Sequence, residues 1–150
     1  MAWHIAKFEH LSVQTLYQIL KLRVDVFVVE QACAYPELDG KDCLDDSRHV
    51  WFQSEVGDIL AYARILPAGA SYLHPAIGRV IVASASRGKG LAQELMQLAV
   101  AYCQQTWPGK PVDIGAQHHL LAFYQGVGFE AISEVYLEDG IPHIDMRLQP

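Results

Sequence analysis

One segment constrains the fold of this chain more than any other: Gly78 to Ala92, which reads GRVIVASASRGKGLA. Val80, Ile81 and Val82 form a continuous apolar run, the pattern of a strand covered on both faces. Small residues follow, then Arg87, Gly88, Lys89 and Gly90, and then a helical pattern. From about Gly88 to Thr106, the side chains of Leu91, Leu95, Leu98, Ala99 and Tyr102 share one face, and Trp107, Pro108 and Gly109 stop the run. A strand that feeds a helix through a glycine loop requires a layered α/β structure. The helix start offers free N–H groups and a positive dipole end, which suit a phosphate. Arg87 and Lys89 add two cations there, in a chain with 17 Asp+Glu, 11 Lys+Arg and a net charge of −6. Taken alone, the segment also fits a basic helix start that binds nothing.

Two phosphate motifs fail on it. A P-loop, G-x-x-x-x-G-K-[ST], would need glycine at Ala83 and a hydroxyl at Gly90. A dinucleotide fingerprint, G-x-G-x-x-G/A, fits Gly88 and Gly90 but meets Gln93 at its third position. The loop after Val82 is also too long for its tight first turn. A third pattern, R-x-x-G-x-A, is met in full by Arg87, Gly90 and Ala92.

The remaining segments supply a sheet and its cover. Residues 3–8 predict a first strand. Ser12 predicts the cap of a helix reaching about Phe27, with Leu16, Ile19, Leu20 and Arg23 at helical spacing. Tyr35 to Ser47 is a polar loop holding Glu37, Asp39, Asp42, Asp45 and Asp46. Strands are expected over Val50–Gln53, Ile59–Leu66 and Ile77–Val82. Beyond the long helix come a strand at Val112–Ala116 and a short helix at His118–Gln125, stopped by Gly126 and Gly128. Strands at Phe129–Glu138 and Ile144–Leu148 flank a turn at residues 139–142. The sum is an α/β sandwich, a mixed central sheet flanked by helices. Residues 1–150 fit a single domain, since this length supports one core and no repeat or linker divides it.

Composition narrows the partners. The acidic balance argues against nucleic acid and against an anionic membrane surface, which both need a positive field. It permits a cationic amine. No apolar run approaches the ~20 residues of a membrane span. Cys33, Cys43 and Cys103 make an odd set without C-x-x-C, which fits a reducing compartment and small apolar fillers. With no signal-peptide pattern at the N-terminus, a cytoplasmic protein is expected.

Together with the R-x-x-G-x-A loop, two further stretches resemble the ElaA-like branch of the GNAT N-acetyltransferases. One runs from Leu22 to Tyr35 through Phe27, Val28, Val29, Glu30 and Gln31, followed by Glu37 and Asp39. The other runs from Ala116 through Tyr124 to Phe129, followed by Tyr136 to His143. The likeness spans about residues 12–148 and departs at Ala34, where that branch often has proline. It implies the GNAT (acyl-CoA N-acyltransferase) fold, and acetyl transfer from acetyl-CoA as co-substrate to a primary amine of a small molecule or peptide. N–H groups of Arg87, Gly88, Lys89, Gly90, Leu91 and Ala92 would cradle the pyrophosphate. Val80, Ile81 and Val82 would bond the pantetheine and the thioester carbonyl, with Gln117 beside the cofactor. The strand at Val112–Ala116 would splay away to admit it. The resemblance further implies Tyr124 as general acid, and an exposed C-terminal strand able to pair two copies into a homodimer. The alternative is a sensor or interaction module that binds acyl-CoA without turnover; an intact loop together with Tyr124 favours the enzyme.

The chemistry sets the remaining requirements. A thiol has a pKa near 8.5, so a departing thiolate gains from a proton, which a tyrosine of pKa about 10 can give. Tyr124 also reads as a core aromatic whose hydroxyl is bonded to backbone. The developing oxyanion needs a donor, for which a backbone N–H near Val82, aimed by a β-bulge, is the natural choice. A lysine-like amine is protonated at neutral pH, at a cost to attack of roughly 4.6 kcal/mol. A base or a water chain must therefore take its proton. Glu30 follows a nearly continuous apolar run and is expected to be partly buried with a raised pKa. His143 has the right intrinsic pKa. Glu37, Asp39 and Asp139 are further candidates, and each also reads as a surface charge, cap or turn residue. The acidic run either attracts a cationic acceptor or is a solvated loop. His118 and His119 lack metal-ligand companions, and no metal is expected.

Overall fold

The computed structural model describes residues 1–150. The chain forms β1 (Ala2–Ala6), α1 (Val13–Val24), β2 (Arg48–Gln53), β3 (Ile59–Leu66), β4 (Ala76–Val82), α2 (Leu91–Thr106), β5 (Val112–Gln117), α3 (Leu121–Val127), β6 (Glu130–Ala131), β7 (Tyr136–Glu138) and β8 (Ile141–Leu148). The strands make one sheet in the order β1-β2-β3-β4-β5-β8-β6, and β7 also pairs with β8. All neighbours are antiparallel except β4 and β5, which run parallel, pair only at Ala76↔Asp113, and are joined across the sheet by α2.

Local chemistry explains the element ends. Ser12 caps α1, its Oγ accepting from the Thr15 N–H at 3.0 Å. The helix does not stop at Phe27; it widens into a π-helical turn over Asp25–Glu30. Helix α2 starts at Leu91, later than Gly88, because Gly88 (φ 80) and Gly90 (φ 82) take the left-handed conformation and cannot extend the helix. The strand expected over Phe129–Glu138 is two short strands, β6 and β7. The turn that follows is tighter than expected, a hairpin closed by Asp139 (φ 50) and Gly140 (φ 77) between the paired Glu138 and Ile141. Two consecutive positive φ angles suit the twist of adjoining strands.

The C-terminal strand is not a sheet edge. β8 pairs with β5 on one side and with β6 and β7 on the other, which removes the exposed edge on which a homodimer was expected.

The sheet separates two apolar clusters. The larger, 16 buried residues including Ile77, Leu95, Ala99, Ile114, Phe129, Ile144 and Met146, lies beneath α2 and α3. The smaller, six buried residues including Ile19, Tyr62 and Ile81, lies beneath α1. Because side chains alternate along a strand, β5 and β8 send Ile114, Ala116, Ile144 and Met146 to the larger core. They send Asp113, Gly115, Gln117 and Asp145 to the opposite face. Cys33 and Cys103 are buried as fillers, whereas Cys43 is exposed.

Candidate active site

A cleft of about 1280 Å³ opens where β4 and β5 diverge. A β-bulge in β4 accompanies the divergence. Tyr62 pairs with Ile81 and Arg64 with Gly78, so Arg79 and Val80 together oppose Ala63. Arg79 has φ 52, a left-handed conformation uncommon in a residue with a side chain. The bulge therefore sits just before the Val82 position expected for it. From Gly78 to Val82 the β4 backbone has no partner on its β5 side. Val80, Ile81 and Val82 line the cleft along that free edge.

At the cleft mouth a short 3-10 turn, Ser84–Ser86, leads into the glycine loop. Arg87, Gly88, Gly90, Leu91 and Ala92 line the cleft, and Lys89 is exposed beside them. A Cβ placed on Gly88 or Gly90 would meet nothing within 4 Å, so the loop is an open cradle of backbone N–H groups ahead of α2. Arg87 is already engaged. Its Nε donates to the Val82 carbonyl at 3.0 Å, and its Nη2 lies 2.9 Å from a Glu30 carboxylate oxygen. The Glu30 side chain is 43% exposed and paired with Arg87, so its carboxylate is not free to act as a base. The next residue, Gln31, exchanges two amide hydrogen bonds with Gln117, at 3.1 and 3.3 Å. Both contacts tie the end of α1 across the cleft.

Tyr124 reaches the cleft from the other face of the sheet. It is 5% exposed and packs edge-on against Phe123 and Phe129. No protein group bonds its hydroxyl, so the core-aromatic reading with a backbone-bonded hydroxyl does not hold. Burial alone pushes that hydroxyl up to about 12, which keeps its proton in place at neutral pH. His143 also lines the cleft. Its Nδ1 lies 2.7 Å from the Ile141 carbonyl, which fixes the proton there, and its Nε2 lies 3.5 Å from exposed Glu138. In the neutral ring Nε2 is then the acceptor. Asp139 is exposed in the hairpin.

The acidic loop is neither solvated nor free to attract a ligand at its inner carboxylates. Arg23, fully buried, donates to Glu37 at 2.7 Å and to Asp42 at 2.7 Å. Arg64 donates to Asp39 at 2.8 Å and to Asp42 at 3.0 Å. Arg79 Nε lies 2.8 Å from Glu37 Oε2, off the line of a hydrogen bond, so that contact is ionic. Tyr35 donates to Glu37. Burial opposes ionisation of Asp39 and Asp42, but the arginines outweigh it and hold both below the usual carboxylate range. The network fastens the loop to β3 and to the bulged strand. Glu37 and Asp39 are accordingly unsuited to act as bases. Only Asp45 and Asp46 lie exposed.

Sequence reasoning missed a further group. Tyr72, before β4, and Tyr136, on β7, both donate to Asp145 on β8, at 3.1 and 2.6 Å. Gly115, opposite Asp145 in the register, makes the room: a Cβ there would collide with the Tyr72 hydroxyl. A glycine inside an apolar strand is the sequence signal that could have pointed to such an approach.

Residues 19–150 match the family model described as an acetyltransferase (GNAT) domain. With the fold above, this places the chain plainly: it belongs to the GNAT acetyltransferases, a class of acyltransferases. Within that class it is ElaA-like. It is 48% identical to the protein ElaA of Escherichia coli K12 over 146 residues, covering 96% of this chain and 94% of that one. The crystal structure of Escherichia coli ElaA matches with a TM-score of 0.92 at 45% identity, over 99% of both chains. An acyl-CoA N-acyltransferase from Pseudomonas aeruginosa matches with a TM-score of 0.92 at 44% identity, over 98% of both. No helix of the chain is long and apolar enough to cross a membrane.

Proposed function

We propose that the chain, acting as one domain, is an N-acetyltransferase that moves an acetyl group from acetyl-CoA directly to a primary amine of a small molecule or peptide. One observation carries the reading: the unpartnered Tyr124 hydroxyl shares a cleft with the unpaired edge of β4 and the open glycine loop. The acyl-CoA N-acyltransferase of Pseudomonas aeruginosa supports the donor class by its name. These features fit the donor. The N–H groups of residues 88–92 suit a pyrophosphate, while the Arg87 N–H already donates to the Ser84 carbonyl at 3.5 Å. The β4 edge at Val80, Ile81 and Val82 that β5 leaves unpaired suits an extended amide-containing arm, although Ile81 is paired with Tyr62 and the Val82 carbonyl accepts from Arg87. Gln117 closes the wall beside it. Acetyl-CoA, when bound, supplies the activated thioester.

The chain's residues do the rest. A backbone N–H on the bulged edge of β4 stabilises the oxygen on which negative charge develops. Tyr124 gives its proton to the departing sulfur as the C–S bond breaks and the N–C bond forms. The amine's proton passes to His143 Nε2 or to water. Of the two base candidates, His143 is favoured over Glu30, whose carboxylate is paired with Arg87. The test is steady-state release of CoA over a panel of primary amines, with Tyr124→Phe alongside. Amine-dependent release by wild type, sharply reduced in Tyr124→Phe, is expected. Binding of acetyl-CoA without release on any amine would favour a sensor instead.

A further inference from the structure

Five carboxylates are withdrawn from water at least in part: Glu37, Asp39, Asp42, Asp113 and Asp145. Four are matched by arginine. Glu37 and Asp42 take Arg23 at 2.7 Å each, Asp39 takes Arg64 at 2.8 Å, and Asp113 takes Arg147 at 2.7 Å. Asp145 has no cation. Its Oδ1 accepts from two neutral phenols, Tyr136 and Tyr72. Its Oδ2 accepts from nothing in the protein, and it is not sealed: the sealed side-chain atoms without a hydrogen-bond partner are Arg64 Nε and Arg79 Nε. Asp145 lines the cleft. No cation of the cleft lies within ion-pair distance of it. Arg64 and Arg79 are held by the loop carboxylates, Arg87 by Glu30, and Lys41 donates to Ser71 at 2.7 Å. His143 gives its Nδ1 proton to Ile141, and Glu138 and Asp139 are themselves acidic.

A carboxylate partly out of water, with neutral donors on one oxygen only, is under-compensated and attracts a cation. Both phenol oxygens stand over Gly115, whose missing side chain leaves them the room to reach Asp145. Tyr72 and Tyr136 remain donors, since burial and then Asp145 raise both hydroxyls.

We infer that Asp145 anchors an ammonium group of the acceptor, and that this ammonium is not the one acetylated. The inference rests on the N-acetyltransferase reading above and specifies its acceptor. An ammonium held against a carboxylate is kept protonated, since the opposite charge favours its charged form, and so cannot attack. The reacting amine must be a second one, free to lose its proton. The acceptor class is therefore a dication with two primary amines on a flexible spacer, an α,ω-alkyldiamine in its simplest form. Tyr72 and Tyr136 are positioning residues that fix the Asp145 carboxylate.

The experiment titrates a series of α,ω-diamines, and the matching n-alkylamines, into the full chain by calorimetry. It then measures acetylation of both series. At least one diamine should be acetylated with a kcat/KM about ten- to a hundred-fold above that of its n-alkylamine, whose single amine cannot both rest protonated on Asp145 and attack; that is the range of a charge-assisted hydrogen bond. Asp145→Asn should abolish that preference, raise the diamine KM by a similar factor, and leave acetyl-CoA binding unchanged. Tyr72→Phe with Tyr136→Phe keeps the charge but frees it, and should reduce the preference by a smaller factor even if Asp145→Asn fails to fold. A wild type that shows no diamine preference overturns the inference, as does a preference that survives in Asp145→Asn. The two readings fail separately. Acetylation of n-alkylamines without diamine preference removes the Asp145 site and keeps the enzyme. Diamine binding that is lost in Asp145→Asn, without acetyl-CoA binding, does the reverse.

Discussion

Arg23 offers the sharpest test of how the cleft wall is held. Its side chain is fully buried, with Nε 2.7 Å from Glu37 Oε1 and Nη1 2.7 Å from Asp42 Oδ1. Arg23→Met keeps most of the apolar stem and removes the cation. Glu37 and Asp42 would retain Arg79 and Arg64, but each would lose its shortest contact with a cation. Breaking a buried pair from one side costs about 3–5 kcal/mol, because the remaining charge stays buried. In a chain of this length each kcal/mol moves Tm by roughly 2–4 °C, so Tm should fall by roughly 6–20 °C. The assay is thermal unfolding by circular dichroism at neutral pH. A Tm within about 2 °C of wild type would refute the reasoning, since a solvated surface pair is worth about 1 kcal/mol or less. An unchanged Tm with a lowered KM for a cationic acceptor would show that the freed loop carboxylates recruit substrate.

Three further outcomes are expected. Tyr124→Phe should lower kcat by about a hundred-fold or more. It should leave Tm nearly unchanged, because no hydrogen bond is lost; equal kcat in a turnover assay would remove Tyr124 as the acid. Glu30→Gln should free Arg87 and tighten acetyl-CoA binding at low salt by up to about five-fold, the scale of an exposed ion pair, and calorimetry showing weaker binding would count against the pairing. Stability should fall on acidification in two stages. Burial, only partly offset by a bond to the Asp42 carbonyl, lowers His49, so the unfolded chain takes that proton first, below about pH 6.5. Asp39 and Asp42 are held low, so their contribution is present above about pH 4 and is lost below it. A urea midpoint that is flat from neutral pH down to about pH 4 would contradict the His49 stage.

What the sequence made legible was local or carried by a motif. Alternation and apolar runs located β3 and the end of β4. Helical spacing located α2, and R-x-x-G-x-A located the loop between them. The rest is long-range. Arg23 falls at the same helical spacing as Ile19 and Leu20 and so reads as part of an apolar face, yet it is buried through Glu37 and Asp42, 14 and 19 positions on. Periodicity cannot report such a partner. Tyr72 meets Asp145 across 73 positions, and only the strand order β4-β5-β8 brings them together. The bulge at Arg79 depends on register with β3, which no pattern within β4 records. The pairing of Glu30 with Arg87, 57 positions on, is equally invisible to the apolar run that precedes it.

The central claim is that the glycine loop and the open edge of β4 together hold acetyl-CoA. Calorimetric titration of acetyl-CoA into wild type and Arg87→Glu tests it directly. Saturable binding by wild type, with strong weakening in Arg87→Glu, is the predicted result; no binding by wild type, or equal binding by both, would contradict it.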